Sequence, residues 1–129
     1  MPRGRRVPPP LHDLESEVME EVWRRQEATV REVLEVLNEG RKQRAYTTIM
    51  TIMARLEKKR LLRRKKLGKT HVYRPAMSRE EYMEARAHSE VEGLVADYGD
   101  LALAQFARQI DGLDPDRRRA LRELAEEGS

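Results

Sequence analysis

The sequence predicts a mainly α-helical chain with one small β-hairpin, and three observations carry that expectation. Apolar residues recur at helical spacing over most of the 129 residues. Helix-opening signals stand at Thr29-Val30-Arg31-Glu32, Ser78-Arg79-Glu80-Glu81 and Asp114-Pro115. Two β-compatible runs, residues 61–66 and 70–74, flank Leu67-Gly68-Lys69 and stop at Pro75.

Each element follows from its residues. Residues 1–10 hold four prolines and three arginines and read as a flexible basic arm, with contact to phosphate or a minor groove as the sharper alternative. Leu14, Val18, Met19, Val22 and Trp23 then form one stripe of a first helix, capped by Asp13 or His12 and ending near Arg25. In the second helix the Thr29 hydroxyl and the Glu32 carboxylate satisfy orphan backbone donors, and Val30, Val33, Leu34 and Leu37 form the buried face. Asn38-Glu39-Gly40 ends it, with Gly40 as candidate for the left-handed position. A third helix is expected from about Ala45 to Lys59, with Ile49, Ile52, Met53 and Leu56 inward. Its other face carries Thr47, Thr48, Thr51, Arg55 and Lys58. Threonine lowers helix propensity, so three on an exposed face suit contact with phosphate oxygens and base edges.

Charge sharpens this pattern. Residues 41–74 hold thirteen Lys or Arg against one acid, Glu57, although the chain's formal net charge is only +3. Residues 1–77 carry 19 basic and 10 acidic groups, and residues 78–129 carry 7 and 13. One part therefore attracts polyanions and the other does not. Three helices followed by a cationic hairpin is the layout of a winged helix-turn-helix, in which the third helix enters the major groove and the hairpin lies on flanking backbone.

The remaining residues predict three more helices. Met83, Ala87, Val91, Leu94, Val95 and Tyr98 line the first, which Gly99-Asp100 breaks. Leu103, Phe106, Ala107 and Ile110 line the second, and Leu121, Leu124 and Ala125 the third. So few large side chains cannot offset the entropy of ordering about 50 residues. A shared core between two copies is the economical solution. The expected division is a basic arm over 1–10, a winged helix-turn-helix over 11–77 and a helical dimerisation domain over 78–129.

Other classes are disfavoured. The chain has no cysteine, so disulfides and thiolate sites are excluded and a reducing cytoplasm fits. No apolar run approaches the roughly 20 residues of a membrane span, and no secretory signal opens the chain. His12, His71 and His88 lie on different elements, and His88 and Ser89 point about 100° apart on a helix, so no catalytic constellation or cofactor site is expected. A winged helix that binds a protein through its basic surface is one rival. A regulator with a ligand cleft lined by Trp23, Tyr82, Tyr98 and Phe106 is the other.

Leu11 to Met19, Ala45-Tyr46-Thr47-Thr48-Ile49-Met50-Thr51 and Arg55-Leu56-Glu57-Lys58-Lys59 resemble the penicillinase repressor (BlaI/MecI) family, over about residues 11–125. The resemblance implies a cytoplasmic homodimeric repressor of antibiotic-resistance genes, bound to palindromic operators with TACA/TGTA-type half-sites. It implies DNA contacts from Thr47, Thr48, Thr51 and Arg55 on the third helix and Lys65, Lys66 and Lys69 on the wing, to which the reading of the third helix adds Met50 and Lys58. Staphylococcal members carry basic residues where this chain has Thr47 and Met50, which implies a different base preference. Dimerisation falls to Val91, Leu94, Val95, Leu103, Phe106, Ile110, Leu121 and Leu124. Induction in the family follows cleavage at an Asn-Phe bond, triggered by a membrane sensor protease. Gln105-Phe106 is the nearest match here. The copper-responsive branch, with its cysteine cluster, is excluded.

Overall fold

The computed structural model describes residues 7–128. Their elements run α1 (Asp13–Arg25), α2 (Val30–Leu37), α3 (Tyr46–Lys58), β1 (Leu62–Leu67), β2 (Thr70–Pro75), α4 (Arg79–Tyr98), α5 (Asp100–Asp111) and α6 (Pro115–Glu127). The chain is thus mainly α with a two-stranded antiparallel hairpin, as the periodicity predicts. It divides into two compact units, residues 1–87 and 88–129.

The first unit closes one core. Val18, Met19, Val22 and Trp23 of α1 meet Val30 and Val33 of α2, Ile49, Met53 and Leu56 of α3, and Leu61, Leu62 and Tyr73 of the hairpin. Local signals set the element ends. Thr29 and Glu32 exchange reciprocal hydrogen bonds of 3.1 and 2.9 Å at the start of α2. α3 ends in a Schellman motif: the Arg60 N–H reaches the Glu57 carbonyl and the Leu61 N–H the Leu56 carbonyl, both at 2.9 Å. Arg60 takes the left-handed position, φ 65°, that glycine usually fills. In the hairpin, Gly68 has φ 65° and begins the two-residue turn, the place that primed hairpin turns give to glycine.

Three connections were not foreseen. Ala28, between α1 and α2, pairs with Tyr73 by two backbone bonds of 3.0 and 2.8 Å and so fixes the base of the hairpin. Gly40 does not take the left-handed conformation expected of it. The side chain of Asn38 closes that turn instead, donating to the Arg44 carbonyl at 3.0 Å and accepting from the Arg44 N–H at 2.7 Å. The division expected at residue 77 also moves, because the start of α4 belongs to the first core. Tyr82 is buried there, its ring 5.5 Å from that of Trp23, while the Trp23 indole donates to the Met77 carbonyl. Arg79 adds an ion pair with Glu20 at 2.8 Å.

Tyr82 and Arg86 also change the reading of the N-terminal arm. The Tyr82 hydroxyl donates to the Pro9 carbonyl at 2.8 Å and Arg86 to the Pro8 carbonyl at 3.0 Å, and Pro8 is buried. Residues 8 and 9 are therefore docked against α4 and are not part of a flexible arm. Residues 1–6, with the arm's arginines, lie outside the described residues.

The second unit has the expected stops and starts but little interior. Ser78 and Glu81 form their capping box with two 3.0 Å bonds ahead of it. The Asp114 carboxylate accepts from the Arg117 N–H at 2.9 Å, and Pro115 takes the first turn of α6. Among its described residues only Ala102 is buried.

Candidate nucleic-acid interface

The packing of α3 decides which of its faces is presented. Ile49, Met53 and Leu56 are buried, and Ile52 is half-buried beside them. By helical geometry Thr47, Thr48, Met50, Thr51, Arg55 and Lys58 must then point away from the core, and all six are exposed. Ala45 caps the helix without a side-chain bond, and the first turn carries no acid. That end stays favourable to anions. Arg31 of α2 stacks over the Tyr46 ring at 5.3 Å, joining the start of α3 to α2. Lys65, Lys66 and Lys69 are exposed along the hairpin and its turn.

Not every cation in this region is available to a polyanion. Four of the thirteen are paired within the first unit: Arg44 with Glu17 at 3.1 Å, Lys59 with Glu15 at 2.7 Å, Arg64 with Glu57 at 3.6 Å and Arg74 with Glu27 at 3.3 Å. Arg55, Lys58, Lys65, Lys66 and Lys69 make no ion pair among the described residues. The five cations expected on α3 and the wing are thus all exposed and unpaired, and Arg41, Lys42, Arg60 and Arg63 share that state among the described residues.

The Glu15–Lys59 pair is the part that pattern reading missed. Glu15 is 2% exposed and also accepts from the His12 N–H at 3.1 Å. Burial alone would raise its carboxyl above the ordinary range, but the Lys59 ammonium and the His12 N–H hold it below. The pair ties the first turn of α1 to the end of α3. A signal existed: residues 15, 18, 19 and 22 follow the helical spacing of the apolar stripe, which places Glu15 on the inner face.

The proposed dimerisation residues are not covered by their own chain. Val91, Leu94, Leu103, Ile110, Leu121 and Leu124 are exposed, Phe106 is 36% exposed and Val95 half-buried. Leu94, Tyr98, Leu101, Ala102, Gln105 and Phe106 line a shallow, almost wholly apolar depression. Gln105 and Phe106 sit within α5, their bond inside an intact helix. The four aromatic residues of the ligand-cleft reading are not used alike. Trp23 and Tyr82 pack on each other inside the first core, whereas Tyr98 and Phe106 are exposed in the second unit.

With this geometry in place, comparison with known proteins is decisive. Residues 11–127 match the family described as penicillinase repressor. The chain belongs to the penicillinase repressor family. It is 38% identical over 121 residues to the transcriptional regulator BlaI of Mycobacterium tuberculosis, covering 88% of this chain and 84% of that one. The penicillinase repressor of Bacillus licheniformis is 33% identical over 81 residues, 63% of this chain and 62% of its own. The solution structure of the DNA binding domain of the repressor BlaI superposes with a TM-score of 0.51 at 31% identity, covering 60% of this chain and 93% of that domain. The fold is therefore the winged helix of BlaI-type DNA-binding domains. The penicillinase repressor family is one of regulators and not of enzymes.

Proposed function

We propose that this chain is a homodimeric transcriptional repressor that occupies two-fold symmetric operators with TACA/TGTA-type half-sites in the cytoplasm. Membership of the penicillinase repressor family makes it a DNA-binding repressor. The observation that carries the fuller reading is the face of α3 and the hairpin, where three threonines, Met50 and five unpaired cations are presented together. The cations supply affinity by displacing counterions, and the threonines and Met50 choose among base edges. Among the described residues no helix is long and apolar enough to cross a membrane.

Dimerisation is supported by the second unit, whose largest apolar side chains remain exposed on the single chain. Two copies would present two α3 helices to half-sites about one helical turn apart. Occupancy of a promoter then excludes polymerase. Release needs only loss of the dimer, since one winged helix makes half the phosphate contacts. A membrane sensor protease acting at Gln105-Phe106 would have to unwind α5 first, because the bond lies in a helix. Selection of bound duplexes from a random pool by the purified chain tests the whole reading. A two-fold symmetric motif with TACA/TGTA-type arms is the expected product, and a pool that stays random would refute it.

A further inference from the structure

We propose that the turn between α2 and α3 is a third DNA-contacting element, in which Asn38 fixes the turn so that Arg41 and Lys42 meet the phosphate backbone beside the start of α3. This rests on the reading of the chain as an operator-binding repressor, and it adds an element outside the α3 face and the wing.

The turn is held by its own polar groups. The Asn38 amide bonds both backbone groups of Arg44, at 3.0 and 2.7 Å, and so closes residues 38–44 as a ladder pair would. The Gln43 side chain crosses the same turn to the carbonyls of Asn38 at 2.8 Å and Gly40 at 3.2 Å. Arg44 is held in turn, its guanidinium bonded to Glu17 of α1 at 3.1 Å and to the Lys42 carbonyl at 3.2 Å. The side chains of Asn38, Gln43 and Arg44 are thus all engaged in holding the turn, and α3 begins two residues after Arg44.

What the clamp leaves over is charge. Arg44 is committed to Glu17, and the turn's one acid, Glu39, lies in the field of Arg24. Arg41 and Lys42 are exposed and make no ion pair among the described residues. Two cations on a turn closed by hydrogen bonds, next to a helix start that lacks both an acid and a capping side chain, match phosphate and not a neutral or cationic partner. Asn38 acts here as a positioning residue, since it touches no DNA itself.

The test uses the full chain, a selected operator duplex and a random duplex of equal length, titrated over a range of salt. Arg41→Ala combined with Lys42→Ala should weaken binding to both duplexes and flatten the log-log salt slope of the dimer by about 3 to 4, four phosphate contacts fewer. Asn38→Ala should lower the ratio of specific to random binding about tenfold, two hydrogen bonds having been lost. Asn38→Asp keeps the bond from the Arg44 N–H and should recover part of that ratio. An unchanged slope in the double variant overturns the phosphate contacts, and an unchanged ratio in Asn38→Ala overturns the positioning role. Failure of the unaltered chain to bind duplex would instead remove the repressor reading itself.

Discussion

The two units put similar helical patterns to opposite uses. In the first, α1, α2, α3 and the hairpin enclose a core of large apolar residues, and even a glutamate is buried because Lys59 and His12 satisfy it. In the second, α5 and α6 keep helical apolar stripes but leave Leu101, Leu103, Ile110 and Leu124 in solvent. The difference teaches that an apolar stripe marks a face to be covered and does not say by what. The first unit covers its faces from within, and the second leaves its own exposed, the face that the proposed dimer would cover.

The strongest challenge to this contrast is charge placed on the uncovered face. Leu94→Glu combined with Phe106→Glu should raise the dimer dissociation constant by at least about a thousandfold, on the order of 4 kcal/mol for two buried anchors. Sedimentation should show a monomer whose first unit still unfolds cooperatively. An intact dimer would locate the interface elsewhere.

Tyr82→Ala probes the other side of the boundary. If the start of α4 belongs to the first core, removing this ring should cost about 3 kcal/mol in denaturant unfolding of the first unit. A loss near zero would return α4 to the second unit.

The Glu15–Lys59 tie gives a smaller effect with a pH signature. Glu15→Gln should cost about 1.5 kcal/mol at neutral pH, moderated by the partial exposure of Lys59. The folded carboxyl is held below its unfolded value of 4.5, so the pair stabilises fully above that pH. Its contribution is lost as pH falls through the lowered folded value. The gap between the unaltered chain and Glu15→Gln should therefore close on acidification, and a gap that widened below pH 4.5 would reverse the assignment.

Smallest is Arg60→Gly, which should stabilise the first unit by about 0.5–1 kcal/mol by relieving the left-handed backbone at the end of α3. Thermal unfolding would read it, and a lower melting temperature would argue against strain there.

Sequence alone reached the features that are local. The Thr29, Ser78 and Asp114 caps, the hairpin turn at Gly68 and the inward stripe of α3 each depend on residues within four positions of one another. The features it missed join distant segments: Ala28 with Tyr73, Glu15 with Lys59, Tyr82 with Pro9 and Trp23. Periodicity in α4 favoured Met83, yet packing selected its neighbour Tyr82, whose hydroxyl reaches a backbone carbonyl that Met83 could not satisfy. At the interface, the exposed face of α3 was legible because the buried face is. Which cations were free was not, because Glu15, Glu17 and Glu27 come from sequence far from the basic run.

The central claim is that two copies of the chain bring the face of α3 and the hairpin to one duplex. Equilibrium binding of the full chain to its selected operator, measured against salt concentration, tests it most directly. Ten contacts from five cations on each of two chains predict two chains per duplex and a log-log slope of about −9 or steeper. One chain per duplex with a slope flatter than about −3 would contradict the account.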